Sequence, residues 1–177
     1  IVMIYVIRHG QTDLNLERKM QGRTGLPLNE YGLEQAREIR EELKNIDFDL
    51  VFSSPQIRAI QTAEIITGKE AKLDERLDVF DLGEADRVPL SELKRDGVLP
   101  DPTIYKGVED PNSFVQRIFE FMRELEHNYS DNELNILVSG HRCTTGCISA
   151  YFKGIPADDN ILKYSSDTGD YKTYYFK

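Results

Sequence analysis

Three short apolar runs constrain the fold of this chain more than any other feature: residues 3–7 (M-I-Y-V-I), 49–53 (D-L-V-F-S) and 134–139 (L-N-I-L-V-S). Each is long enough for one strand and too continuous for a surface strand that alternates apolar and polar residues. Strands apolar on both faces belong to parallel sheets covered by helices on each side. Helical patterns separate the three runs, so the sequence predicts an α/β fold with three layers. A mostly parallel central sheet lies between helices, with these three strands near its middle. At 177 residues the chain is long enough for one well-buried core, and residues 1–177 are expected to form one domain.

What stands at the ends of those runs carries chemistry. The first stops on Arg8-His9-Gly10, followed by Gln11-Thr12 and Asn15. In an open α/β sheet, ligands bind outside the carboxyl ends of the strands. A neutral imidazole there is a competent nitrogen nucleophile. A guanidinium there offers a permanently charged donor fork that matches phosphate oxygens. Gly10 lets the backbone turn sharply. The second run leads into Ser54-Pro55, which reads as N-cap and first residue of a helix whose buried stripe is Ile57, Ile60, Ala63 and Ile66. Arg58 falls in its first turn, where a cation is unfavourable unless an anion is bound there. The third run ends on Gly140-His141-Arg142 and opens a helix to about residue 153, which repeats the placement of His9.

The remaining elements read as scaffold. Residues 15–28 form a loop over the strand end, with Gly22, Gly25 and Pro27. Asn29 caps a helix running to about residue 45, with Leu33, Ala36, Ile39 and Leu43 inward. Residues 69–74 form a short strand, 76–87 a loop, 90–95 a helical segment, and 97–111 a loop with the look of a lid or specificity insert. Asn112 or Ser113 caps a helix to about residue 127, with Val115, Ile118, Met122 and Leu125 inward and His127 favouring the helix dipole. The runs I-L-K-Y and Y-K-T-Y-Y-F within residues 160–177 suggest an antiparallel hairpin on the sheet.

Composition narrows the class of partner. A formal net charge of −9, with no basic stripe, argues against nucleic acid or an anionic membrane, although a local pocket can still be basic. No run is long enough to span a membrane, and the first is too short for a signal peptide and ends on Arg8. Cys143 and Cys147 lie four apart, with no other Cys or His at metal-ligand spacing, and read as reduced, packed thiols of a cytoplasmic protein.

Taken together, the blocks resemble the histidine phosphatase superfamily, also called the phosphoglycerate mutase-like family. The match runs through Arg8-His9-Gly10-Gln11-Thr12 with Asn15, Ser53-Ser54-Pro55 with Arg58-Ala59 and Gln61-Thr62-Ala63, and the strand ending at His141. Gln21-Gly22, Pro27-Leu28, Gly32, Gln35-Ala36 and Gly154-Ile155-Pro156 support it in the same order. The resemblance implies a phosphoglycerate mutase-like fold and a phosphatase acting on a small phosphorylated metabolite. It gives His9 the role of the nucleophile that becomes phosphohistidine. It gives Arg8, Arg58 and His141 the rest of the phosphate pocket, and Asn15, Gln21 and Gly22 substrate-binding positions. No metal or organic cofactor is implied. The physics is compatible: phosphoryl transfer needs in-line positioning and charge neutralisation, which two guanidiniums and nearby donors supply. The same cations disfavour imidazolium at His9.

One block departs from the family pattern. The stretch Arg76-Leu77-Asp78-Val79-Phe80-Asp81-Leu82-Gly83 has Val79 where the family carries a Glu as general acid, and Ala85 and Arg87 where an aromatic and a Gly usually follow. In an extended segment Asp81 shares a face with Val79, so it is the expected substitute acid, with Asp78 and Glu84 behind it. Arg142 stands where many members have Gly. A second reading therefore stays open: a catalytically weakened relative that binds a phosphorylated ligand as a sensor or partner module. A third, a phosphoglycerate mutase, fits less well because the insert between Gly83 and Leu134 is short.

Overall fold

The computed structural model of the chain describes residues 1–176. In chain order its elements are β1 (Met3–Arg8), α1 (Asp13–Leu16), α2 (Glu30–Glu42), β2 (Leu50–Ser53), α3 (Ile57–Thr67), β3 (Lys72–Leu73), β4 (Arg95–Asp96), β5 (Leu99–Pro100), α4 (Pro111–Tyr129), β6 (Asn135–Gly140), α5 (Arg142–Lys153) and β7 (Tyr171–Tyr175). Five strands form one sheet in the order β3-β2-β6-β1-β7. All neighbours are parallel except β7, which runs antiparallel to β1 along the edge. The three apolar runs thus occupy the centre, as their patterning predicts.

Both faces of those strands are buried. Tyr5, Ile7, Val51 and Leu137 pack with Ala36 and Ile39 of α2 and Ala63 and Ile66 of α3. Ile4, Val6, Phe52, Ile136 and Val138 face the other way, onto Phe114, Ile118, Phe121 and Met122 of α4 and Cys147 and Ile148 of α5. Each fully buried aliphatic or aromatic side chain contributes about 1.5–3 kcal/mol, enough for the two clusters to outweigh the weak preferences of the loops.

Register converts this packing into a site. Arg8 pairs with Gly140, and Ser53 with Ser139, so three strands end at one level. The chain continues in step beyond them: the His9 amide donates to the Gly140 carbonyl at 3.0 Å and the Ser54 amide to the Ser139 carbonyl at 3.0 Å. His9, Ser54 and His141 consequently leave the sheet side by side.

Several local expectations are corrected. Helix α3 begins at Ile57 with Gln56 as N-cap and no side-chain cap bond, not at Ser54-Pro55. Ile57 is 58% exposed, and the buried face is Arg58, Ala59, Thr62, Ala63 and Ile66. The helix is rotated so that Arg58 faces inward, which simple apolar spacing does not register. Helix α4 is capped by Asp110, whose carboxylate accepts the Ser113 amide at 3.0 Å, with Pro111 at the first position, and it runs to Tyr129. Residues 90–95 hold one 3₁₀ turn, Leu90–Glu92, before β4. The segment 97–111 is partly ordered as a β4–β5 hairpin that turns on Gly97, whose φ is +65°. Among the described residues the tail makes no hairpin of its own. Residues 161–164 lie in turns, and β7 pairs with β1 instead. The α2 cap holds as expected, with Asn29 Oδ1 accepting the Gly32 amide at 2.8 Å. Cys143 and Cys147 are buried free thiols. Among the described residues no helix is long and apolar enough to cross a membrane.

Candidate active site

His9 follows β1 and is 3% exposed. Its Nδ1 lies 2.6 Å from the carbonyl oxygen of Gly10, an acceptor only, so the ring hydrogen sits on Nδ1 and the lone pair on Nε2. The Nε of Arg58 donates to that Nε2 at 3.4 Å. Arg58 is 1% exposed, and its Nη2 donates to the Gly22 carbonyl at 2.9 Å, which fixes the plane of the fork. Thr62 ties the two parts together: its hydroxyl accepts the Gly10 amide at 3.1 Å and donates to the Arg58 carbonyl at 2.8 Å. The loop passes so close that a Cβ built on Gly25 would stand 2.0 Å from Arg58 Nη1.

His141 stands opposite, its ring centroid 5.3 Å from that of His9. Its Nε2 is 2.8 Å from Ser54 Oγ, which also accepts the Gln56 amide at 3.2 Å. Ser54 Oγ keeps a second lone pair and its own hydrogen, so it can either donate to Nε2 or accept from it. His141 Nδ1, Arg8 Nε and Gln21 Nε2 are buried without a hydrogen-bond partner. All three residues line the same cavity as His9, about 550 Å³ in volume. An unmet buried donor costs about 1–3 kcal/mol. Arg8 and Gln21, each with an unmet donor, thus share one cavity with His9 and with the unpartnered Nδ1 of His141, which suits a ligand rich in acceptor oxygens.

Electrostatics point the same way. Burial first, then the charges of Arg58 and Arg8, hold His9 well below the usual histidine range. His141 is lowered for the same leading reason, with Arg58 next. Arg8 and Arg58 are each pulled down to about 10, chiefly by burial, and both stay charged at neutral pH. Neutral imidazoles beside two cations can accept a tetrahedral anion and present a nucleophilic nitrogen to it.

The structure thus brings together Arg8, His9, Arg58 and His141. Asn15 and Gln21 line the cavity. Asn15 Oδ1 accepts the Thr12 amide at 2.9 Å, and Gln21 Oε1 accepts the Leu26 amide at 3.0 Å. Gly22 does not line the cavity. Its carbonyl holds Arg58 and its amide donates to Asp86 at 2.8 Å, so its place is behind the pocket.

The expectation for Asp81 is corrected as well. Val79, Phe80 and Leu82 all line the cavity, so the segment does not alternate strictly, and Asp81 is the residue turned away. Its carboxylate accepts the Gly83 amide at 3.0 Å and approaches Arg23 at 3.7 Å. Asp78 is held by Gln56 at 2.9 Å and by Arg23 at 3.5 Å, and Glu84 accepts the Lys106 amide at 2.8 Å. Arg117 enforces this course by donating to the carbonyls of Arg76 and Asp78, each at 2.8 Å.

Sequence reasoning missed four contributors. Ser54 reads as a helix cap but orients His141. Asp86 anchors the loop that holds Arg58, Arg117 pins the segment at Val79, and Asp167 is the sole carboxylate lining the cavity among the described residues. For Ser54 the signal was present, since it follows a strand end directly; the other three act across long sequence separations and leave no local pattern. Among the described residues no group of three or more His, Cys, Asp or Glu is placed to hold a metal.

Comparison with known proteins identifies the family. The model of the histidine phosphatase superfamily (branch 1) matches residues 4–168. A protein of Bacillus subtilis (strain 168) described as uncharacterized phosphatase PhoE is 35% identical over 140 residues, covering 77% of this chain and 71% of that protein. The probable phosphoglycerate mutase GpmB of Proteus mirabilis (strain HI4320) is 30% identical over 173 residues, covering 89% and 77%. Among solved structures, the phosphoserine phosphatase of Entamoeba histolytica in complex with 3-phosphoglyceric acid superposes with a TM-score of 0.82. It is 24% identical and covers 99% of this chain and 91% of that one, a likeness of fold.

Proposed function

The chain belongs to the histidine phosphatase superfamily (branch 1), and on that premise we propose that it is a phosphatase acting on a small phosphorylated metabolite through a phosphohistidine on His9. The observation that carries this reading is the unprotonated Nε2 of His9, which accepts from Arg58 beside a cavity that Arg8, Gln21 and His141 also line, each with an unpartnered buried nitrogen. In the proposed reaction Nε2 attacks phosphorus, a P–N bond forms, and the P–O bond to the leaving group breaks. Arg8 and Arg58 neutralise the equatorial oxygens, and His141 Nδ1 and Gln21 Nε2 donate to them, as the charge of a phosphoryl transfer requires. Water then attacks phosphorus, the P–N bond breaks, and inorganic phosphate leaves with neutral His9 restored. The reading takes residues 1–177 as one domain, uses no cofactor, takes a small phosphorylated partner and expects a cytoplasmic protein.

Val79 favours a second reading, a module that binds a phosphorylated ligand without turning it over, because a valine in the cavity wall cannot donate a proton. One experiment separates the two: phosphate release from a panel of phosphorylated metabolites, with acid-quenched protein assayed for acid-labile phosphate. The phosphatase reading expects release, label on His9, and loss of both in His9→Ala. Ligand binding without release selects the module, and turnover that survives His9→Ala removes the covalent route.

A further inference from the structure

Water that attacks a phosphohistidine must lose a proton, and most acids near the pocket are engaged elsewhere. Asp78 is held by Gln56 and Arg23, and Asp81 by the Gly83 amide. Glu84 accepts the Lys106 amide, and Asp86 accepts the Gly22 and Thr24 amides. None of these four lines the cavity. Asp167 does, and it is the only carboxylate to do so among the described residues. Its carboxylate makes neither a hydrogen bond nor an ion pair among the described residues. Only its carbonyl is used, accepting the Asp170 amide at 3.1 Å.

The backbone on both sides of Asp167 is tied to the nucleophile strand. The Gly169 amide lies 3.1 Å from the carbonyls of both Arg8 and His9, and the Arg8 amide donates to the Asp170 carbonyl at 3.1 Å. Arg8 Nη1 donates to the Ser166 carbonyl at 3.0 Å. Gln35 joins the same loop to the residue that follows Gly10: its Nε2 donates to the Thr168 carbonyl at 3.0 Å, and its Oε1 accepts the Gln11 amide at 2.8 Å. Asp167 is itself exposed, so it stands where solvent meets the cavity, on a loop that cannot drift from His9. Its charge raises Arg8 against the larger lowering by burial, which puts the carboxylate within electrostatic reach of the phosphate pocket.

We propose that Asp167 is a catalytic residue, the general base for the water that hydrolyses phospho-His9. It deepens the phosphatase reading and rests on it for the phosphohistidine. Water attacks phosphorus, and its proton passes to the Asp167 carboxylate as the new P–O bond forms. The P–N bond breaks, its electron pair returns to His9 Nε2, and hydrogen phosphate leaves. Asp167 then gives the proton to solvent. Asp167 serves this second half alone; the leaving group of the first half still lacks an acid, because Val79 occupies that wall.

The test uses 4-nitrophenyl phosphate radiolabelled in its phosphoryl group, an ester whose leaving group needs no acid. Label on His9 is chased with unlabelled ester, and its decay is followed by rapid alkaline quench. A positioned base contributes about 10²–10⁴-fold, so Asp167→Asn is expected to slow the decay at least about tenfold. The kcat/KM, which reads the phosphorylation half, should stay within about twofold, because Asp167 has no part in forming the P–N bond. Added formate should restore part of the decay rate in Asp167→Gly and leave the wild type unaffected. If the wild type takes label and Asp167→Asn loses it at the wild-type rate, the base is overturned and the phosphatase reading stands. The base is equally overturned if kcat/KM falls as far as the decay rate, since that marks a displaced loop. If the wild type takes no label and releases no phosphate, the phosphatase reading falls and the base with it.

Discussion

The Nε of Arg58 lies 3.4 Å from Nε2 of His9, while the far side of the same ring is 2.6 Å from the Gly10 carbonyl. One contact holds the reactive nitrogen unprotonated and the other fixes which nitrogen that is. The acid limb of kcat/KM is therefore expected below the ordinary histidine range of about 6.5. Arg58→Gln should reduce kcat/KM by about 10²–10³, the effect of losing one preorganised donor to a transition state. It should also move the acid limb upward, only part of the way, because burial is the larger cause of the lowered pKa. A pH profile of the variant with an unmoved limb would contradict this role.

Stability should share that pH dependence. His9 and His141 both titrate lower in the folded state than in the unfolded chain. As pH falls below about 6.5 the unfolded chain takes up protons that the folded one refuses, so stability declines. The slope approaches about 1.4 kcal/mol per pH unit for each histidine until the folded groups protonate. Urea midpoints measured from pH 7 to 5.5 should drop, and His141→Asn should flatten the slope across that window.

Gly25→Ala tests the closeness of the loop to Arg58. The added Cβ would meet Nη1 at 2.0 Å, so the guanidinium must shift from the Gly22 carbonyl and from His9. Turnover should fall at least tenfold while the circular dichroism spectrum stays that of the wild type. A variant with full activity would show that the fork is not held from this side.

The acid position gives the fourth prediction. Val79 is 5% exposed and lines the cavity, whereas Asp81 is turned to Gly83 and Arg23. A positioned acid contributes about 10²–10⁴-fold, and an alkoxide needs it more than a phenoxide. Wild-type turnover should favour aryl over alkyl phosphates. Val79→Glu should raise alkyl turnover selectively, and Asp81→Asn should leave the alkyl-to-aryl ratio unchanged. A ratio that moves with Asp81→Asn would return Asp81 to the acid's role.

The sheet's centre and the strand-end residues Arg8, His9 and His141 were determined by sequence alone, because a run buried on both faces must be apolar throughout and ends where polarity begins. Both are local patterns. Arg58 was legible from its misfit as a cation at a helix start, but its inward rotation was not, since it follows from how α3 packs. Tertiary structure decided everything set by chain segments far apart. Ser54 bonds to His141 across 87 residues, and Asp86 holds the loop behind Arg58. Arg117 steers Val79 into the cavity and Asp81 away from it, and β7 pairs with β1 rather than with its own tail. The physical reason is common to all four: a hydrogen bond or strand pairing depends on which groups packing brings within about 3 Å, and neither periodicity nor spacing carries that distance.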